Sequence, residues 1–197
     1  MIPISQSVFS DSMSALLTTT GLVAIAEIGD KTQLLSLLLA TRYRRPLPVL
    51  AAILLATIAN HLLAALLGVF VQGLVEPRVL RWALAASFAA MAVWTLIPDK
   101  LDAGETGRER RWGAFLTTLF VFFLAEIGDK TQIATTALAA RFESVLLVTA
   151  GSTAGMLLAN APVVLWGHRV LARLPLRWVR RATAVAFAIL ALVTAFA

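Results

Sequence analysis

Six apolar runs of about 20 residues each follow one another along the chain and are separated by short polar links. An α-helix of this length crosses a hydrocarbon core about 30 Å thick. Of the 197 residues, 59% are hydrophobic and only 14% are charged, whereas soluble domains carry roughly 25% charged residues. The pattern predicts an all-α integral membrane protein, with no room for a soluble domain between the spans.

The links divide the chain into two halves. The longest link, at about residues 98–111, is polar and rich in turn-forming residues, but it is too short to be a domain. We therefore expect a single transmembrane domain over residues 1–197, with a first repeat at about 12–97 and a second at about 112–197. The six spans are expected at about 14–40, 48–73, 79–97, 112–140, 145–166 and 178–197.

An internal repeat relates the two halves. Residues 15–33 and 114–132 share 12 identities in 19 positions at a constant offset of 99. Both contain the eight letters AEIGDKTQ, which we name motif 1 (residues 26–33) and motif 2 (residues 125–132). Because each half has three predicted spans, an odd number, the second half must enter the membrane from the opposite side. The sequence thus predicts six transmembrane helices arranged as two inverted three-helix repeats.

Basic residues of the links fall unequally on two faces. By the positive-inside rule, the face with twelve cations is cytoplasmic, and this makes residues 98–111 a cytoplasmic linker. Both termini are then outside the cytoplasm, in a bacterial inner membrane. Such a basic rim suits anionic lipid headgroups rather than nucleic acid. The twelve are Arg42, Arg44, Arg45, Lys100, Arg108, Arg110, Arg111, Arg169, Arg173, Arg177, Arg180 and Arg181, and the opposite face has Arg78, Arg81 and Arg141.

Each motif places two carboxylates and a lysine in the middle of a predicted span. Glu126 is 15 residues from the arginine at either end of its span, so a continuous helix would put it about 22 Å from each. Six such charges facing lipid would cost on the order of 10–20 kcal/mol. They must face the protein interior, and inversion brings the motifs together at the midplane, where secondary transporters hold coupling ions.

Oxygen atoms dominate the polar side chains of both motifs. The two acids of each motif are spaced i, i+3, which predicts projection from one helix face, around a glycine that permits close helix approach or local unwinding. With no cysteine in the chain, this oxygen set favours hard cations such as Mn²⁺, Ca²⁺ and Mg²⁺, and neighbouring carboxylates also share protons. The predicted metal ligands are Glu27, Asp30, Thr32, Gln33, Glu126, Asp129, Thr131 and Gln132, with Lys31 and Lys130 as compensating charges.

Several polar residues also have a structural interpretation. Gln33 and Gln132 either ligate the cation or hydrogen-bond across helices, and Asn60 and Asn160 either complete the ligand set or hold helices together. His61 has no counterpart in the second half, which favours a hydrogen-bonded core histidine over a proton carrier. The motif charges themselves could form a purely structural bridge, but four acids for two lysines leave an excess of two negative charges for a guest cation.

The paired motif E-x-G-D-K-T, one copy in each half, resembles the cation/proton exchanger family catalogued as uncharacterised protein family 0016. Its eukaryotic members act as Golgi manganese and calcium transporters, and its bacterial members export manganese. The resemblance covers essentially the whole chain. It implies a secondary transporter, neither an enzyme nor dependent on a cofactor, that exchanges Mn²⁺ or Ca²⁺ for protons and exports the metal. It places the transport site at Glu27, Asp30, Lys31, Thr32, Glu126, Asp129, Lys130 and Thr131.

The alternative is a small-molecule exporter of the amino-acid-efflux type, which shares a six-helix inverted-repeat plan. Primary active transport is excluded because the chain has no P-loop. A membrane hydrolase would need a nucleophile or a metal–histidine set that neither half carries. The sequence leaves open whether the chain is a monomer or a homodimer, and which divalent cation it prefers.

Overall fold

The computed structural model describes residues 4–97, 113–167, 169 and 175–196, so the predicted cytoplasmic linker lies outside the described residues. Over these ranges the chain forms eight helices and no strand. Prolines stand at the first turns of the helices that begin at Pro46 and Pro77, where a missing N–H costs nothing. The Ser144 hydroxyl caps the helix that begins at Val145 by accepting from the Leu147 N–H. The helices are α1 (Ile4–Glu27), α2 (Lys31–Tyr43), α3 (Pro46–Leu74), α4 (Pro77–Thr95), α5 (Gly113–Glu126), α6 (Lys130–Phe142), α7 (Val145–Trp166) and α8 (Leu176–Phe196).

The predicted first and fourth spans are not continuous helices, and this part of the prediction was wrong. Each is divided at its motif, the first into α1 and α2 and the fourth into α5 and α6. The axes of α1 and α2 are bent by 70° across the break. The remaining spans are single helices whose ends lie within about two residues of the predicted ones, and α7 has the predicted bounds.

Three of the described helices, α3, α7 and α8, are long and apolar enough to cross a membrane. The bent pair α1 and α2 makes a fourth candidate if it counts as one broken span, and α5 is a shorter apolar helix. Over the described residues the protein is therefore all-helical, with three to four candidate membrane spans.

Helices of one half pack mainly on helices of the other. α3 and α7 contact each other; α1 and α2 pack on α7, and α5 and α6 pack on α3. α4 and α8 pack against each other. The motifs lie at the junctions of the broken helices, so this packing brings both of them against the central α3–α7 pair.

Two glycines of α7 allow a close approach to α1. A Cβ atom at Gly155 would lie 2.6 Å from the Thr20 carbonyl oxygen, and one at Gly151 would lie 2.9 Å from the Leu16 carbonyl oxygen. Gly151-x-x-x-Gly155 is a small-xxx-small pattern of the kind that lets membrane helices touch backbone to backbone. The close contact between α1 and α7 therefore requires glycine at these two positions of α7.

The exposed face of α3 is apolar, and its buried face includes polar residues. Leu63, Leu67 and Phe70 are exposed, whereas Asn60 and His61 on the same helix are buried. A water-soluble helix would show the opposite arrangement, because exposed apolar surface is costly in water. The exterior therefore suits lipid, and the polar residues face the centre of the molecule.

Candidate cation site

Both motifs interrupt their helices at the same place. The glutamate is the last residue of the first helix, and the next helix begins at the lysine. Between them Gly29 and Gly128 adopt φ values of 82° and 76°, a left-handed conformation that favours glycine. Asp30 and Asp129 follow in extended backbone as the N-cap residues of α2 and α6. The glycines thus provide the local unwinding, which was one of the two alternatives for them.

This break also corrects the predicted placement of the acids. Glu27 and Asp30 do not project from one face of a continuous helix, because one ends α1 and the other caps α2. The same holds for Glu126 and Asp129 across α5 and α6. The depth of Glu126 calculated for a straight helix therefore does not apply either. Each motif instead presents its carboxylates at two helix ends that face a common interior.

Hydrogen bonds of the motif glutamines stabilise the interruptions between α1 and α2 and between α5 and α6. The side-chain oxygen of Gln33 accepts a hydrogen bond from the Gly29 N–H at 2.8 Å, and that of Gln132 accepts from the Gly128 N–H at 2.7 Å. Both amide nitrogens donate to the opposite half, Gln33 to the Ala159 carbonyl at 2.8 Å and Gln132 to Asn60 Oδ1 at 3.3 Å. Hydrogen bonding thus engages each polar atom of both side chains, which favours the structural alternative over cation ligation.

Three of the four motif carboxylates lie together in the interior. Glu27, Asp30 and Asp129 each offer one oxygen atom, and these atoms lie within 4.8 Å of one another. The Thr32 hydroxyl donates to Glu27 Oε2 at 2.7 Å and lies 3.3 Å from Asp30 Oδ2, and all these residues are buried. We name Glu27, Asp30 and Asp129 the carboxylate cluster. Carboxylates held this close in a dry interior need a cation or protons to offset their repulsion.

The lysines pair across the halves rather than within their own motifs. Lys130 of motif 2 forms a close ion pair with Asp30 of motif 1, and Lys31 Nζ of motif 1 lies 3.8 Å from Asp129 Oδ1 of motif 2. Each aspartate therefore faces the lysine of the other repeat. This reciprocal pairing joins the two motifs into one charged centre.

Glu126 is not one of the three residues of the carboxylate cluster and faces α3 instead. It is fully buried, and its Oε2 atom lies 3.8 Å from Nε2 of His61 on α3. The Thr131 hydroxyl, which corresponds to that of Thr32, donates to Asp129 Oδ2 at 3.1 Å instead. The repeat therefore has two sequence-identical motifs with different side-chain environments.

The asparagines of α3 and α7 hold neighbouring elements. Asn60 donates to the Phe123 carbonyl at 3.1 Å and accepts from Gln132. Asn160 accepts from the Ser36 hydroxyl at 2.7 Å and donates to the Met156 carbonyl at 3.1 Å. Sequence reasoning missed Ser36, which lies one turn after Thr32 on the buried face of α2, and its position on that face was the only available signal.

His61 also differs from its prediction. It was expected to be a hydrogen-bonded core histidine, but neither ring nitrogen has a hydrogen-bond partner within the described residues. The sequence signal for a position near the centre was that His61 follows Asn60, and Asn60 contacts motif 2.

Two segments of the chain, residues 15–103 and 114–197, match the family described as divalent cation/proton antiporter GDT1. The segments begin 99 residues apart, which is the offset of the internal repeat. Since they cover most of the chain, it belongs to this family. It is therefore a membrane transporter of the cation/proton antiporter class, with a divalent cation and protons as substrates, and not an enzyme.

Individual relatives agree with this assignment. The chain is 55% identical to a protein of Vibrio cholerae described as "Putative manganese exporter", over 93% of this chain and 92% of that protein. It is 30% identical to a GDT1-like protein of Synechocystis, over 78% of this chain and 82% of that protein. GDT1-like protein 3 of Arabidopsis thaliana is 27% identical and is matched over 64% of its length. No solved structure shows significant similarity to the chain.

Proposed function

We propose that the chain exports Mn²⁺ from the cytoplasm in exchange for protons, with Ca²⁺ as a second substrate. The observation that carries the proposal is the carboxylate cluster with its reciprocal lysine pairs at the junction of the two halves. Oxygen donors of this kind suit Mn²⁺ and Ca²⁺. The Vibrio cholerae relative described as "Putative manganese exporter" supports Mn²⁺ as the principal ion and export as the direction.

The carboxylate cluster is the proposed cation site. Glu27, Asp30 and Asp129 would bind the cation directly, and the Thr32 hydroxyl holds Glu27 toward the aspartates. A divalent cation entering this cluster competes with the ammonium groups of Lys31 and Lys130 for aspartate oxygens. Cation binding would therefore loosen the ion pairs that join the motifs, and cation release would restore them.

Protons provide the opposing substrate. With all four motif acids and both lysines ionised, the centre has a net charge of minus two, which one divalent cation or two protons would neutralise. The proposal is therefore an electroneutral exchange of two protons for each cation. A centre that is neutral in both loaded states avoids moving net charge through the membrane interior.

We further propose that the molecule has six spans in two inverted repeats. Two features support this arrangement. The helix pairings are exchanged between halves, since α1 packs on α7 as α5 packs on α3, and α2 packs on α7 as α6 packs on α3. The ion pairs show the same symmetry: Lys31 of motif 1 pairs with Asp129 of motif 2, and Lys130 of motif 2 pairs with Asp30 of motif 1. In this arrangement both termini lie outside the cytoplasm of a bacterial cell.

Purified protein reconstituted into liposomes tests the exchange. With an imposed pH gradient, we expect Mn²⁺ and Ca²⁺ uptake that stops when the gradient is collapsed and that is accompanied by counterflow of protons. A membrane voltage imposed without a pH gradient should drive no uptake. Uptake that ignores the proton gradient would contradict the exchange, and voltage-driven uptake would contradict the two-proton stoichiometry.

The amino-acid exporter alternative is tested in the same liposomes. Divalent cation flux should be unchanged by an excess of amino acids, and labelled amino acids should not accumulate in exchange for protons. Proton-coupled amino-acid flux without cation flux would favour the alternative instead.

A further inference from the structure

His61 and Glu126 form a buried pair beside the carboxylate cluster. Both side chains are fully buried, and His61 Nε2 lies 3.8 Å from Glu126 Oε2, too far for a hydrogen bond. Within the described residues, neither ring nitrogen of His61 and neither carboxylate oxygen of Glu126 has a hydrogen-bond partner. Buried polar atoms are normally satisfied, so four such atoms at one place indicate a ligand rather than packing.

Comparison of the two halves shows that only the first half has a histidine at this position. Asn60 and Asn160 occupy matching places in the two halves, yet His61 follows the first and Ala161 follows the second. Correspondingly, Glu27 accepts a hydrogen bond from Thr32, whereas Glu126 has no such bond and faces an imidazole. The centre therefore has an oxygen-only side and a side with nitrogen and oxygen donors.

We propose that His61 Nε2 and Glu126 together bind the transported cation, and that His61 makes the protein select Mn²⁺ over Ca²⁺ and Mg²⁺. Ca²⁺ and Mg²⁺ take oxygen ligands, whereas imidazole is an ordinary ligand of first-row transition-metal dications. A nitrogen donor on the cation's path therefore favours Mn²⁺ without strengthening the binding of the other two. The assignment rests on the proposed cation exchange, and it names the residue that determines its specificity.

Pulsed electron paramagnetic resonance of bound Mn²⁺ detects a nitrogen ligand directly. Purified protein labelled with nitrogen-15 histidine is loaded with Mn²⁺ alone, and coupling of a histidine nitrogen to the metal is recorded. The chain has two histidines, so a His168→Gln variant leaves His61 as the labelled residue. We expect the coupling in the wild-type and His168→Gln proteins and its loss in His61→Gln.

Transport selectivity gives a second readout. His61→Gln exchanges the ring nitrogen for an amide that offers an oxygen ligand. We expect the ratio of Mn²⁺ to Ca²⁺ flux to fall about tenfold, with Ca²⁺ flux retained. A merely structural role for His61 would lower both fluxes in parallel, and that result would overturn the proposal.

The two readouts separate this inference from the exchange itself. Wild-type protein that binds Mn²⁺ with histidine coupling but does not exchange it for protons would support the His61 assignment and defeat the exchange. Proton-coupled Mn²⁺ transport without histidine coupling in the loaded wild-type protein would overturn the His61 assignment alone. Absence of Mn²⁺ binding would overturn both.

Discussion

Two residues that are identical in the repeat, Lys31 and Lys130, lie in unequal surroundings. The Lys130 side chain is 4% exposed and pairs closely with Asp30, whereas the Lys31 side chain is 25% exposed and lies 3.8 Å from Asp129. Removing one partner of a buried ion pair leaves a charge that water cannot reach, but an accessible pair contributes little. The two lysines should therefore differ in their effect on stability.

Replacing each lysine by methionine measures this difference. Lys130→Met removes the buried partner of Asp30 and is expected to cost about 3–5 kcal/mol of unfolding free energy. Lys31→Met should cost less than Lys130→Met, because Lys31 is partly exposed and lies farther from its partner, although Asp129 is itself buried. Thermal unfolding in detergent, followed by tryptophan fluorescence, compares the variants. Equal losses would show that the closeness and burial of the Lys130–Asp30 pair do not matter.

The carboxylate cluster predicts a loss of transport on removal of a single acid. Glu27→Gln and Asp129→Asn preserve size and much of the hydrogen bonding, but each deletes one anionic ligand and one proton acceptor. Both variants should fold, because a neutral amide costs less in the membrane than a charge. We expect Mn²⁺ flux in liposomes to fall at least about a hundredfold, which corresponds to a loss of about 2.8 kcal/mol or more of cation binding.

Glu76→Gln is the matched control, because Glu76 is an exposed carboxylate at the start of α4 and lies outside the carboxylate cluster. Its flux should equal that of the wild-type protein. If the Glu27 and Asp129 variants also kept normal flux, the carboxylate cluster would be structural and the proposed cation site would be wrong.

At the scale of the helices, sequence reasoning succeeded where local signals exist and failed where tertiary contacts decide. The start of α3 follows from Pro46 and that of α7 from Ser144, whose capping roles depend on nearby backbone alone. A glycine inside an apolar run is compatible with close packing as well as with unwinding. Gln33 accepts a hydrogen bond from Gly29 and donates one to Ala159 in the other half, and both bonds favour unwinding. The bond to Ala159 cannot be predicted from the sequence around Gly29 alone.

The candidate site shows the same limit. The repeat and the cost of buried charge identified the six charged residues of the motifs, because these arguments need only composition and spacing. They could not show that Lys130 pairs with Asp30 of the other motif, nor that Glu126 faces His61. Those pairings depend on how the broken helices turn, and the turn was not predicted.

The contact of α3 with α6 depends on one glycine. A Cβ atom at Gly68 would lie 2.1 Å from the Thr136 carbonyl oxygen, which is backbone and cannot swing away. Gly68→Ala should therefore push apart α3 and α6, the helix that begins at Lys130, and cost about 1–3 kcal/mol or more. Both thermal stability and Mn²⁺ flux should fall.

Gly73→Ala is the control on the same helix, since a Cβ atom there would meet nothing within 4 Å. It should leave flux unchanged and stabilise the helix by up to about 1 kcal/mol, because alanine is the better helix former. Equal behaviour of the two variants would mean that α3 and α6 are not in close backbone contact.

At the scale of the whole molecule, equivalent positions of the halves adopt the same backbone. Arg44 is the C-cap residue of α2 and Glu143 is that of α6; they lie 99 residues apart, and both have φ of 51°. These residues precede the two central helices α3 and α7. If the repeat is inverted, two positions with the same local structure must therefore lie on opposite sides of the membrane.

Cysteine labelling tests this consequence, because the chain has no cysteine of its own. Arg44 and Glu143 are both exposed, so Arg44→Cys and Glu143→Cys each present one accessible thiol. The excess of cations on the face of Arg44 predicts a cytoplasmic position for this residue, and removing one of the twelve leaves the excess intact. In intact cells a membrane-impermeant maleimide should label Glu143→Cys and leave Arg44→Cys unlabelled until the cells are lysed. Labelling of both positions from the same side would refute the inverted repeat, and the reverse pattern would refute the assigned orientation while preserving the inversion.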